Sequence, residues 1–190
     1  MVEDVLRESK ALLKGHFLLT SGRHSEYYVE KIKIINNPKF VDILCEKLAE
    51  QLRSIECDLI VGPAYGGIVL AYEVAKKLGK RFVFTQRKDE KMTIRSGFEV
   101  YPGDKAVIIE DIITTGGSVK EVIEVLKNNE LDVKAIGCIV DRSGGSVDFG
   151  YELISLLTMQ IETWDADNCP LCKSGVPLIK PGASDKPNNK

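Results

Sequence analysis

The sequence predicts an α/β protein, a parallel sheet flanked by helices with a β-hairpin ahead of it. Two observations carry that prediction. Short apolar runs alternate with segments of about ten to fifteen residues whose apolar positions recur every three or four, the pattern of successive βαβ units. One run, from Val107 to Ile109, passes straight into two carboxylates and a Thr-Thr-Gly-Gly-Ser turn that opens a helix. In parallel sheets ligands collect beyond the carboxyl ends of the strands.

Taken in order, residues 2–13 read as a helix, with Glu3 and Asp4 in the first turn and Gly15 as the stop, as the helix dipole and glycine's backbone freedom favour. Residues 16–35, HFLLTSGRHSEYYVEKIKII, hold two β-leaning runs about a Ser-Gly turn and predict a hairpin. Asn37-Pro38 is an N-cap followed by proline at the first helical position, and Phe40, Leu44, Leu48 and Leu52 give that helix an apolar stripe. Residues 58–61 form a buried strand and 62–67 (GPAYGG) a loop. Ile68, Ala71, Ala75 and Leu78 mark the next helix, ended by Gly79. Residues 81–84 are a strand, 86–97 a charged loop and 105–109 a strand. Ser118 with Glu121 forms a capping box before Val119, Val122, Ile123 and Leu126. Strands at 133–140 and 151–157 complete the set. The expected division is 1–36 for the N-terminal helix and hairpin, 37–160 for the α/β core, and 161–190 for an extension with a flexible tail after Pro181.

The chain has 190 residues, the length of one domain with a small appendage. Lys and Arg number 26 against 28 Asp and Glu, a net charge of −2. That excludes a protein working mainly by coating a polyanion, which needs a basic face, so no nucleic-acid partner is expected. The N-terminus, MVEDVLRESK, lacks the basic and then apolar order of a secretory leader, and no run nears ~18 apolar residues. No membrane association is expected. Five cysteines, three of them scattered, do not read as a secreted disulfide framework, and the expected location is the cytoplasm.

The chemistry concentrates between Val107 and Ser118. Backbone amides at a helix N-terminus favour an anion, and Gly116 and Gly117 let the backbone approach it. Thr114, Thr115 and Ser118 add hydroxyls. Ser118 suits an N-cap, a phosphate donor, or both. No Gly-Lys-Ser/Thr follows, so this is not a Walker A loop. Glu110 and Asp111 repel each other, and a purely structural turn gains nothing from both. Carboxylates beside a phosphate loop point to sugar hydroxyls, a metal or a developing cation.

The run from Val107 to Ser118 resembles the 5-phosphoribosyl-1-pyrophosphate (PRPP) signature of type I phosphoribosyltransferases. The resemblance implies that fold, with Glu110 and Asp111 on the ribose hydroxyls and residues 114–118 around the 5′-phosphate. Three further segments resemble orotate phosphoribosyltransferases: residues 17–28 their hood hairpin, Gly62-Pro63-Ala64-Tyr65-Gly66-Gly67 their loop near pyrophosphate, and Asp141-Arg142 their base-side arginine. Guanidinium matches carboxylate geometry, so Arg142 is the expected reader of the orotate carboxylate, with Tyr28 against the ring and Thr114 at the base. The pattern Arg87-Lys88-x-x-Lys91 resembles the family's mobile catalytic loop. The family further implies transfer from PRPP to orotate in UMP biosynthesis, Mg²⁺ carried mainly by PRPP rather than in a dedicated protein site, Lys91, Glu110 and Asp111 as the catalytic groups, and a homodimer with shared active sites. Other readings on this fold are a purine or uracil phosphoribosyltransferase, or a PRPP-sensing regulator, which would need a basic extension. The chain departs from the family at Thr20 and Gly66, where many members carry lysine, with Arg23 or Arg95 as substitutes, and at Thr93, where the family has histidine.

Cys169-Pro-Leu-Cys172 supplies two of the four ligands a structural zinc requires. No second pair exists, although His16, His24, Cys45, Cys57 and Cys138 are available. A packing role is the expectation for this pair.

Overall fold

A computed structural model describes residues 2–19 and 21–181; Thr20 and the predicted flexible tail, 182–190, lie outside the described residues. In chain order the elements are α1 (Val2–Glu8), β1 (Leu12–Leu18), β2 (His24–Val29), α2 (Ile32–Ile35), α3 (Pro38–Leu52), β3 (Leu59–Pro63), α4 (Gly66–Leu78), β4 (Arg81–Lys88), β5 (Lys91–Ile94), β6 (Lys105–Ile113), α5 (Gly117–Asn128), β7 (Asp132–Asp141), β8 (Glu152–Thr158), β9 (Thr163–Trp164) and α6 (Pro170–Lys173). The main sheet has the order β5-β4-β3-β6-β7-β8, parallel except for β5. A second sheet, β1-β2-β9, is antiparallel.

The alternation of side chains along β6 explains the layering. Val107 and Ile109 face Leu44, Leu48, Leu70 and Val74 of α3 and α4, while Ala106 and Ile108 face Val119, Val122 and Leu126 of α5, as a strand of period two covered on both faces requires. The strand order reverses between β3 and β6, and Brändén's rule puts the ligand crevice at that switch point.

Asn37 caps α3 through its side-chain oxygen, which accepts from the Lys39 amide at 3.1 Å. Elsewhere several boundaries differ from those expected. The first helix stops at Glu8, not near Leu13, because Lys10 takes a left-handed conformation (φ 52°) and Ser9 bonds back to the Leu6 carbonyl; Leu12 and Leu13 then enter β1. The run from Ile32 to Ile35, read as strand, is the single helical turn α2. The loop read at 62–67 shrinks to two residues between β3 and α4. The charged loop at 86–97 is largely the hairpin β4–β5, closed by Asp89 and Glu90 at φ 50° and 65°, the paired left-handed residues of a two-residue turn. Ser118 is no cap: α5 begins one residue earlier and its N-cap is Gly116 at φ 74°. The expected partner in the capping box, Glu121, pairs with Arg87 instead.

Candidate active site

The strand β6 runs four residues further than its apolar core implies, so Glu110 and Asp111 stand within the strand rather than on a turn after it. β3 pairs with β6 only as far as Ile108. Past that point side chains take up backbone amides: Glu110 Oε1 accepts from the Asp111 amide (2.9 Å) and Asp111 Oδ1 from the Ile112 amide (2.6 Å). Both carboxyl groups are buried. Burial and the adjacent Asp111 carboxylate push Glu110 well above the usual carboxylate range.

The two carboxyl groups serve opposite sides of the strand. Glu110 lines a concavity with Thr114, Thr115, Gly116, Gly117 and Ser118. Asp111 lies against Gly66, and its Oδ2 forms an ion pair with Lys31 Nζ at 2.8 Å. A Cβ on Gly66 would fall 1.5 Å from that oxygen and 3.1 Å from Lys31 Nζ. Glycine at 66 is therefore what lets the Asp111 carboxylate fold in, and the cation absent from position 66 is supplied by Lys31 from the start of α2. Burial disfavours the Lys31 charge, yet Asp111 outweighs it and the ammonium is held above its ordinary range. The two arginines expected to substitute for the missing cation, Arg23 and Arg95, are occupied elsewhere. Arg23 binds Thr163 and Asp165, and Arg95 bonds Ser96.

The turn after β6 is open to solvent at Thr114, Thr115, Gly117 and Ser118. Gly116 is required there twice over. Its φ is positive, and a Cβ would strike Phe149 at 2.7 Å and Val147 at 2.8 Å. The loop after β7 thus braces the turn that follows β6. It is held in turn by the buried Asp141, whose carboxylate accepts the amides of Ser143 (2.8 Å) and Gly145 (3.0 Å). Between them sits Arg142, its amide bonded to the Ile113 carbonyl at 2.8 Å. The residue is half-buried, and its Nε is buried with no hydrogen-bond partner among the described residues. A buried guanidinium N–H without an acceptor is costly unless a ligand supplies one. Burial lowers the Arg142 pKa, opposed by Tyr28; an arginine nevertheless stays charged. Tyr28 is half-buried, raised by burial, and feels Lys31, Arg142 and Asp111. Its ring also meets Phe17 at 5.7 Å between centroids.

The structure thus gathers Tyr28, Glu110, Asp111, Arg142 and residues 114–118 about the carboxyl ends of β6 and β7. The basic residues of β4–β5 stand apart: Arg87 donates to Glu121 of α5 at 2.7 Å, and Lys88 and Lys91 are exposed partners in register across the hairpin end. Thr93 hydrogen-bonds the Gln86 carbonyl across the same hairpin. Lys31 is invisible to sequence reading because nothing in Glu30-Lys31-Ile32 distinguishes it from a solvated lysine; only the placement of the β2–α2 connection against β6 brings it to Asp111.

Comparison with known proteins agrees with this geometry. The phosphoribosyl transferase domain model matches residues 32–166. The orotate phosphoribosyltransferase of Thermotoga petrophila is 47% identical over 183 residues, 96% of this chain and 98% of its own. That of Caldicellulosiruptor bescii is 44% identical over 182 residues, 96% of each chain. Among solved structures, the orotate phosphoribosyltransferase from Aeropyrum pernix superposes with a TM-score of 0.72 at 26% identity, covering 84% of this chain and 94% of that one. With a glycine-rich turn, an acidic pair and Arg142 converging where the family model also matches, and with relatives at 44–47% identity over 96% of its length, the chain belongs to the phosphoribosyl transferase family and, within it, to the orotate phosphoribosyltransferases.

Proposed function

We propose that this chain transfers the 5-phosphoribosyl group of PRPP to orotate, giving orotidine 5′-monophosphate and pyrophosphate, in the synthesis of UMP. The observation that carries the choice of base is Arg142, a half-buried residue whose buried Nε has no acceptor among the described residues, beside the phosphate turn. Orotate brings a carboxylate to it; hypoxanthine and uracil bring none. Breaking the C1–O bond leaves an oxocarbenium-like ribose, and an orotate nitrogen attacks its opposite face. Residues 114–118 cradle the 5′-phosphate with backbone amides and hydroxyls. Glu110, its pKa raised by burial and by the adjacent Asp111 carboxylate, hydrogen-bonds a ribose hydroxyl, while the Asp111 carboxylate accepts from one and favours the positive charge on the ring.

Lys31, which the sequence does not single out, joins Asp111 at the pyrophosphate side. Lys88 and Lys91 face each other in register, an arrangement of like charges that destabilises a hairpin on its own and suits an anion arriving between them. With Arg87 they neutralise the leaving pyrophosphate. The acidic pair is a hard oxygen donor set, but Asp111 is committed to Lys31 and the pair makes no cage. This fits Mg²⁺, which takes one or two carboxylates and completes its shell with substrate oxygens and water. Bound with PRPP, the ion supplies charge neutralisation on the pyrophosphate. Tyr65, Val69 and Tyr72, at spacings of four and three and all exposed, form an apolar row along α4 and its N-cap. We assign it to a homodimer contact, across which β4–β5 reaches the neighbouring site. The extent of the three segments, 1–36, 37–160 and 161–190, and a cytoplasmic location complete the proposal.

An ultraviolet assay with PRPP, Mg²⁺ and a panel of orotate, hypoxanthine, xanthine and uracil tests it. Turnover of orotate alone is expected; turnover of another base with none of orotate would overturn the assignment.

A further inference from the structure

Two histidines and two cysteines meet far from the acidic pair, where the C-terminal extension folds over the N-terminal hairpin. His16 Nε2 lies 2.9 Å from His24 Nδ1, 3.4 Å from Cys169 Sγ and 3.7 Å from Cys172 Sγ, and Cys172 Sγ is 3.3 Å from His24 Nδ1. All four ligand atoms fall within 4.8 Å of one another. We propose that they bind a structural Zn²⁺ that fastens the extension to the hairpin.

Four of the six ligand–ligand edges match those of a tetrahedron. With Zn–N near 2.0–2.1 Å and Zn–S near 2.3 Å, the edges of a tetrahedral Cys₂His₂ site are about 3.4 Å for N–N, about 3.6 Å for N–S and about 3.8 Å for S–S. The four separations given above lie within about half an ångström of those edges. Sequence position explains how the ligands converge. The register of β1 on β2 slips by one residue between Lys14 and Phe17, a bulge at which both His16 and Phe17 are buried. Cys169 is the N-cap of α6 and Cys172 lies within that single turn, and positions three apart put the two thiols on one side of it.

The tautomer points the same way. His16 Nδ1 lies 2.8 Å from the Val176 carbonyl oxygen, which can only accept. Nδ1 therefore carries the hydrogen, and the Nε2 lone pair faces His24 and both sulfurs. A ligating imidazole whose other nitrogen donates to a backbone carbonyl is the usual second shell of a zinc site. With both sulfurs as thiolates the loaded cluster is electrically neutral, and an S₂N₂ set favours zinc over harder cations.

The extension is held by polar contacts and has no apolar core of its own among its described residues. Among described residues 161–181, Cys169 is the only buried one. Yet the segment carries β9, α6 and the backbone bonds Ile179 N–H to His16 O and Leu18 N–H to Ile179 O, each 2.8 Å. A segment of this length with no apolar core of its own needs a staple to offset its ordering entropy. The remaining cysteines, Cys45, Cys57 and Cys138, are buried in the main core and do not join the cluster.

Elemental analysis tests the proposal on untagged, full-length protein purified without chelator. We expect about one zinc per chain, with less than about a tenth of that in Cys169→Ser/Cys172→Ser and in His16→Gln/His24→Gln, and unchanged zinc in Cys57→Ser. Should either double variant fail to fold, wild-type protein loaded with Co²⁺ decides: visible bands of tetrahedral cobalt with a thiolate charge-transfer band support the site. Removing zinc from the wild type should lower Tm by several degrees and expose 161–181 to protease first. Wild-type protein that neither contains nor takes up zinc, a Cys169–Cys172 disulfide in protein prepared under reducing conditions, or zinc retained by both double variants would each overturn it.

Discussion

Replacing Lys31 by methionine isolates the ion pair on which the buried end of β6 rests. At 2.8 Å, unit charges attract by about 6 kcal/mol at an effective dielectric of 20 and about 1.5 kcal/mol in bulk water. The Asp111 side chain is 7% exposed but that of Lys31 is 45% exposed, so screening draws the pair toward the wet limit, and a loss of about 2–3 kcal/mol is expected. For a chain of this size that is a fall in Tm of roughly 4–12 °C. The decisive measurement is a thermal or urea double-mutant cycle with Asp111→Asn. Once the carboxylate is neutral it no longer needs its cation, so Lys31→Met should cost little in the Asp111→Asn background. The expected coupling is about 2 kcal/mol. Effects that add to within about 0.5 kcal/mol would mean that Lys31 is a surface lysine with an incidental contact, and the role of Gly66 as the opening that admits it would fall as well.

Glu110→Gln should shift the pH dependence of stability. The folded-state pKa of Glu110 is raised, so its contribution is fully present below the unfolded value and lost as pH rises through the folded one; melts between about pH 5 and pH 9 should show the glutamine variant gaining on wild type as pH rises, and parallel curves would contradict the burial argument. Arg142→Ala should weaken orotate binding by about 2–5 kcal/mol while PRPP binding changes little; calorimetry showing equal losses for both would make Arg142 a scaffold residue. Mixing Lys91→Ala with Asp111→Asn protein should restore about a quarter of wild-type activity after random subunit exchange, and no recovery despite mixed dimers seen by mass spectrometry would mean that each subunit uses its own hairpin.

Sequence and structure agree where one short segment contains the whole cause. Asn37-Pro38 announces α3, and Val107 to Ser118 announces both the strand and the glycine-rich turn into α5. They part where tertiary contacts decide. Glu110 and Asp111 look like turn residues because charge ends an apolar run, but the pairing of β6 with β7 continues through Ile113. The run from Ile32 to Ile35 suits a strand by composition and becomes helix because it must connect β2 to α3. Asp89-Glu90 carries no Asn-Gly or Asp-Gly signal, so the hairpin of β4 and β5 reads as loop. Lys31 is illegible for a different reason, and the cluster is only half legible: Cys169-Pro-Leu-Cys172 shows two ligands, but nothing in the sequence singles out His16 and His24 from the other available residues. Lys31 meets Asp111, and His16 meets a cysteine 153 positions away, contacts that no periodicity or spacing encodes.

The clasp between the two ends of the chain sets an order of assembly. β2 pairs with β9, Arg23 reaches Thr163 and Asp165, and His16 bonds the backbone at Val176 and Ile179. The parallel core between them is complete once β8 is made, but the first hairpin cannot find its third strand until almost the entire polypeptide exists. During synthesis, which runs from the N-terminus at roughly 5–20 residues per second, the segment through β2 must therefore wait without its final neighbours while everything between is built. The wall that carries Tyr28 and leads into Lys31 therefore gains its last partners only when the C-terminal segment arrives, after the turn that follows β6 already has all of its strands.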